Sequence, residues 1–428
     1  MSGRVVNGSI AGACLILSAA APGFAQTNFI EHTIRQNYCR SWCVYAVDMD
    51  RDSIKDIVAA AYVSNLVSWW HNDGGQNLSE DTVAVVTGPL MALPCDLDRD
   101  GDMDVVAAVN GEARSAWFEN DGNQTFTGHT IGRWYGTARV FVADIDSDQD
   151  LDVLVSACEA QPGRMGWFEN DGQQNFTEHV LKDSWPYANS VSAVDLDRDE
   201  DVDIIATAAR AGSYCWFEND GQQNFTEHVV TDSWGRPGSA YAVDLDHDND
   251  LDLLGTACII DEVGWFENDG QQNFTRHTVT ANFRRPHMVI PCDLDRDGDW
   301  DLVATATQDS EIAWFENDGQ QNFARHPVTT SFYYACGVDA EDFDGDGDID
   351  ILGAADWGNR VAWWENVPAA IEETPRQPTA SRAPIITDRL LDAAGRRVER
   401  IGSQGVYFVL GRTATNGSQV VRKVVLVR

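Results

Sequence analysis

Basic side chains are scarce in this sequence. Lys and Arg number 30 against 68 Asp and Glu, a formal charge of −38. A chain this acidic will not hold nucleic-acid phosphates by bulk charge, which needs a basic surface. It attracts cations instead. Beyond the N-terminal stretch there is no apolar run long enough to cross a bilayer as a helix. No CxxC pair, zinc-type His/Cys cluster, G-x-S-x-G string or phosphate-cradling Gly loop occurs. Low hydrophobicity is also absent: 43% of residues are hydrophobic and 10% aromatic, so the charge sits on a chain able to build a core.

The first residues read as a secretory leader at 1–25. Arg4 is its positive end, Ile10 to Ala21 its apolar stretch, and Gly23-Phe24-Ala25 suits cleavage before Gln26. Disulfides are permitted outside the cell. Most remaining cysteines lie in apolar strand-like runs, where Cys acts as a small hydrophobe. Spacing alone leaves open whether Cys39 and Cys43 pair.

What the chain has in abundance is a repeat. The string Asp-x-Asp-x-Asp begins at Asp48, Asp96, Asp144, Asp195, Asp244, Asp293 and Asp342, so successive copies lie 48 to 51 residues apart. A second string, Trp then an aromatic, then Glu or His, then Asn, keeps step at Trp69, Trp117, Trp167, Trp216, Trp265, Trp314 and Trp363. Each repeat holds four strand-like runs. In the fifth these are 239–244, 251–258, 263–268 and 273–279, with Asn268-Asp269-Gly270 as a hairpin turn that tolerates positive φ. Four strands in this period predict one blade of a β-propeller.

The ends of the array predict how the ring closes. Asn28 to Ile34 matches the fourth strand of later repeats, and the last repeat stops at Asn366 without one. An N-terminal strand completing the seventh blade removes two open edges. The expected organisation is all-β: a seven-bladed propeller over 26–366, a linker over 367–384 and a small β domain over 385–428.

Each acidic loop carries carboxylates at positions 1, 3, 5 and 9. The sets are Asp48, Asp50, Asp52 and Asp56; Asp96, Asp98, Asp100 and Asp104; Asp144, Asp146, Asp148 and Asp152; Asp195, Asp197, Asp199 and Asp203; Asp244, Asp246, Asp248 and Asp252; Asp293, Asp295, Asp297 and Asp301; and Asp342, Asp344, Asp346 and Asp350. Hard oxygens converging from a tight turn, with a backbone carbonyl at position 7, are what Ca²⁺ requires. Without a cation the carboxylates would repel one another. Up to seven structural calcium ions are therefore expected. Position 6 calls for glycine, met by Gly101, Gly298 and Gly347 and tolerated by Asn249. Ser53, Gln149 and Glu200 fit less well, which predicts weaker binding in the first, third and fourth loops.

These loops, as in Asp293 to Asp301, resemble FG-GAP and VCBS-type repeats, which form the propeller of integrin α-chains and of some fungal lectins. The resemblance covers about 28–366 and implies the fold and the metal. It leaves function open among adhesion, lectin and lyase-associated propellers. The tail, with Leu391 to Arg396, Gly405 to Val409 and Lys423 to Arg428, resembles a type IX secretion sorting domain. That implies contact with export machinery and a secreted or surface location.

Ten residues before each loop stand Tyr38, Val86, Trp134, Trp185, Trp234, Phe283 and Phe332, six of them aromatic. Topology places these connections on the face opposite the acidic loops, with Arg40, Arg133, Arg139, Arg236, Arg284, Arg285 and His287. Aromatic faces stack on sugars and Arg pairs with carboxylates. A glycan or protein ligand held by Tyr38, Arg40, Trp134, Trp185, Trp234, Arg236, Phe283, Arg285 and Phe332 is one expectation. Packing between blades is the other reading of the aromatics. His32, His129, His179, His228, His277 and His326 recur at one strand position on separate blades, which predicts a structural role. The chain reads as a noncatalytic binding or adhesion module, with a polysaccharide lyase-like enzyme as the alternative.

Overall fold

A computed structural model describes residues 27–158, 163–368, 389–392, 405–412 and 419–426. The expected leader at 1–25 and most of the expected linker lie outside them. Seven antiparallel four-stranded sheets follow one another, each ordered from an innermost to an outermost strand. Blade five runs Pro237–Val243, Asp252–Ala257, Glu262–Asn268 and Phe274–Thr280, within two residues of expectation at every boundary. One short 3₁₀ turn, Asn110–Glu112, is the only helical element among the described residues. No helix there is long and apolar enough to cross a membrane.

Burial follows strand position. All seven second strands, such as Asp56–Ala61 and Asp301–Ala306, are buried at every residue. Both of their faces pack on neighbouring blades, which is why they read as continuous apolar runs rather than alternating ones. Outermost strands such as Phe225–Thr231 mix half-buried and exposed residues and have none fully buried. The innermost strands of adjacent blades touch around a central channel.

Closure occurs as the offset predicts. The N-terminal strand Thr27–Gln36 pairs antiparallel with Arg360–Pro368, with His32 opposite Trp363, and is the outermost strand of blade seven. That blade's third strand runs to Pro368, so residues 367 and 368 belong to the propeller rather than to the linker. The described tail residues form a separate three-stranded antiparallel sheet of Arg389–Asp392, Gly405–Arg412 and Gln419–Leu426. No disulfide joins Cys39 and Cys43.

Candidate metal loops and ligand face

Each acidic loop joins the innermost to the second strand of its blade, and its apolar position 2 pins it. Met49, Leu97, Ile145, Leu196, Leu245, Leu294 and Phe343 are all buried. The position-9 aspartate opens the second strand and is also buried. Its Oδ2 accepts the position-2 N–H at 2.9–3.1 Å. Its Oδ1 accepts, at 2.8 Å in all seven blades, the N–H of the asparagine that ends the Trp-aromatic string. In six blades that asparagine's Nδ2 also donates to the position-8 carbonyl, as Asn120 does to Met103 at 3.1 Å. The asparagine thus clamps the loop. Sequence reasoning assigned it to the hairpin turn; its invariant place in the repeat was the signal.

Electrostatics mark the loops as short of positive charge. Burial pushes Asp56 and Asp104 up to about 6, and Asp152, Asp203, Asp252, Asp301 and Asp350 up to about 7. Neighbouring carboxylates add to the rise, while the backbone N–H groups oppose it. Burial also raises the position-3 aspartates Asp98, Asp146, Asp197, Asp246 and Asp344, and lifts Asp295 to about 6. At position 1, Oδ1 of Asp48, Asp96, Asp144, Asp244, Asp293 and Asp342 is buried without a hydrogen-bond partner. In the fourth loop Asp195 Oδ1 takes the Asp199 N–H, and the orphaned oxygen is that of Asp197. Carboxylate oxygens of Asp96, Asp98 and Asp104 lie within 4.8 Å of one another, as do those of Asp144, Asp146 and Asp152. Buried, orphaned, mutually repelling oxygens fit a hard cation.

The loops fall into two shapes. Position 6 has positive φ in all seven: 92–100° at Gly101, Gly298 and Gly347, and 72–78° at Ser53, Gln149, Glu200 and Asn249. The four non-glycine residues donate their N–H to Oδ2 of the position-1 aspartate at 2.9–3.2 Å. In those loops part of the carboxylate is already engaged.

Two features escaped sequence reasoning. At four junctions position 4 of one loop reaches position 7 of the next: Arg51 to Asp102 at 3.0 Å, Arg99 to Asp150 at 3.5 Å, His247 to Asp299 at 3.7 Å and Arg296 to Asp348 at 3.6 Å. Where position 7 is Ile54, position 4 of the blade before it in the ring is Gly345, so charge and partner vanish together. The second feature is in blade one, where His71 replaces the usual glutamate and its Nδ1 lies 2.9 Å from Asp50. In the other six blades that glutamate pairs with the repeated histidine at 2.6–2.9 Å. Each histidine ring lies 4.4–4.7 Å from the blade's tryptophan. Stacked and paired within their own blades, these six histidines act as structural groups, one in each blade but the first.

The aromatic ligand residues need correction. Tyr38, Trp134, Trp185, Trp234, Phe283 and Phe332 are 0–6% exposed. They wedge against Trp70, Phe168, Phe217, Phe266, Phe315 and Trp364 with ring centroids 4.9–6.0 Å apart. Packed on both faces, they offer no surface for a sugar. Arg40, Arg236 and Arg285, two residues further on, remain at the surface, each with φ of 53–62°. The exposed aromatics are their neighbours. Tyr333 and Trp357 are 55% and 58% exposed. Tyr334 lies 5.4 Å from Tyr333 and 6.0 Å from Trp357. Arg40 sits over the Trp357 and Tyr62 rings at 5.5 and 5.6 Å and is held by Asp356 at 2.7 Å. These residues span the seam between blades seven and one, on the face away from the acidic loops.

Fold and site together define a seven-bladed propeller whose blades each carry an acidic hairpin suited to a divalent cation. The FG-GAP-like repeat family matches residues 48–107, 96–155, 195–255 and 293–353, more than half of the chain, and the chain belongs to that family. No curated protein matches it. Among solved structures it resembles BBS1N in complex with ARL6DN, with a TM-score of 0.55 and 11% identity over 80% of this chain and 98% of that one. A functionally unknown protein from Desulfotomaculum acetoxidans gives a TM-score of 0.47 and 13% identity over 70% and 88%. At these identities the likeness concerns the fold alone.

Proposed function

We propose that this protein is an exported, calcium-stabilised binding module that presents the seam between blades seven and one to a glycan. The surface cluster of exposed Tyr333 and Trp357 with half-buried Tyr334, Tyr62 and Arg40 carries the reading. Aromatic faces at a surface stack on sugar rings, and an arginine fixed by Asp356 orients polar or acidic groups beside them. Calcium has a structural role: positions 1, 3, 5 and 9 would hold it, neutralising the orphaned oxygens and stiffening each hairpin. Binding is expected to be tightest in the glycine loops at Gly101, Gly298 and Gly347, where position 1 is least engaged. The leader at 1–25 supports export, and the tail's type IX-like strings support delivery to the medium or the outer surface.

Two measurements test this. Thermal melts in calcium and in chelator should differ by several degrees. At calcium ten times Kd each filled loop adds roughly 1.4 kcal/mol. Superimposable melts would remove the structural metal. A glycan array, followed by a product assay on acidic polysaccharides, tests the seam. Binding that Trp357→Ala and Tyr333→Ala abolish in folded protein supports it. Binding unchanged in the double variant overturns it, and unsaturated product points to the lyase-like alternative.

A further inference from the structure

The central channel carries chemistry that neither the acidic loops nor the seam uses. It encloses about 350 Å³, lined by the innermost strands of all seven blades. Much of its wall is apolar, including Leu93, Phe141, Met288, Ile290 and Val338. Arg139, on the innermost strand of blade three, lines this space. Among the described residues its guanidinium has no ion-pair or hydrogen-bond partner, although acidic residues outnumber basic ones more than two to one in this chain.

The channel's other charged group is Asp339, which makes no ion pair with Arg139; the remaining polar groups are neutral. Asp339 on blade seven accepts the Ala46 N–H at 2.8 Å and so ties blade seven to blade one. His287 on blade six donates through Nδ1 to the Cys336 carbonyl at 3.0 Å. Burial, and then the Arg139 charge, hold that imidazole down to about 4, so it is uncharged near neutrality. The Tyr45 and Tyr241 hydroxyls, kept protonated by burial, add donors to the same wall. The channel therefore offers one unpaired planar cation and several donors against an apolar wall.

We propose that the central channel binds a small organic monocarboxylate, with its carboxylate on the Arg139 guanidinium and its apolar body against Phe141, Met288 and Ile290. A carboxylate matches the two-pronged guanidinium geometry. The one guanidinium, not ion-paired with Asp339 in the same lining, suits a single carboxylate, and the volume lies within the range of small-molecule pockets.

Calorimetric titration of the full chain in constant calcium tests this with phenylacetate, its amide and sulfate as probes. Phenylacetate should bind saturably, and the amide and sulfate at least about tenfold more weakly. Arg139→Met, similar in bulk, should weaken phenylacetate about tenfold or more. Arg139→Lys, which keeps charge but loses the fork, should fall between and guards against misfolding of the first variant. Absence of phenylacetate binding, equal binding of the amide, equal binding of sulfate, or unchanged affinity in a folded Arg139 variant would each overturn the proposal.

Discussion

Position 6 of the acidic loops shows one residue type yielding to one backbone demand. The turn needs positive φ, and three blades meet it with glycine while Glu200 meets it at 77°. An L-residue in that region costs about 1–2 kcal/mol, partly offset by the larger chain entropy glycine loses on folding. Glu200→Gly should therefore stabilise the protein by about 1 kcal/mol, and Gly298→Glu should destabilise it by a similar amount. Urea midpoints in chelator would check both. A destabilised Glu200→Gly would mean that the Glu200 N–H bond to Asp195 outweighs the strain. The same scale explains the misplaced ligand aromatics. Phe332 and Tyr333 are adjacent and both aromatic, so composition cannot separate them, yet one is buried and the other half exposed.

At the scale of elements, each blade repeats one device. The position-9 aspartate and the clamping asparagine tie the acidic loop to the third strand, and in six blades the histidine stacked on tryptophan ties the third strand to the fourth. Most of this was legible, because strand periods, turn residues and loop carboxylates are local signals repeated seven times. The clamp was not, because the asparagine's invariant place in the repeat does not name the residue 16 or 18 positions away that it bonds. The N-terminal strand is the element whose loss should matter most. Removing residues 27–36 leaves Arg360–Pro368 as an open edge and uncovers the Trp363 stack. The loss is expected to exceed about 5 kcal/mol, the lower end of a domain's total stability. Circular dichroism and size-exclusion chromatography should show an unfolded or aggregated chain. A truncated monomer with an unchanged melt would show that blade seven stands without its outermost strand.

The whole molecule decides what happens in the channel. His287 stays neutral in the fold to about pH 4, whereas an unfolded histidine protonates near 6.5. Between those values the folded state binds fewer protons, so this group's contribution to stability falls as pH drops, by at most roughly 1.4 kcal/mol per unit. Asp339 acts in the opposite sense. Burial raises it to about 6, so between about 3.8 and 6 the fold holds the extra proton and its contribution grows as pH falls. His287→Gln should thus gain on the parent chain as pH drops from 6.5 to 4, and Asp339→Asn should gain on it as pH rises from 4 to 6. Melts of parent and variants at fixed calcium, compared pairwise, isolate each group. Parallel curves would place both side chains in full contact with solvent.

The sequence by itself determined the blade count, the strand order within each blade, the closing strand and the acidic loop positions. All of these are local patterns repeated at a period of about fifty residues, or an offset in that pattern at the two ends. Only the tertiary structure decided which aromatics are covered, which loops engage their own carboxylates, and that Arg139 stands unpaired in the channel. Those outcomes depend on neighbours supplied by other blades, and no repeat within a single blade encodes what the blade beside it will cover.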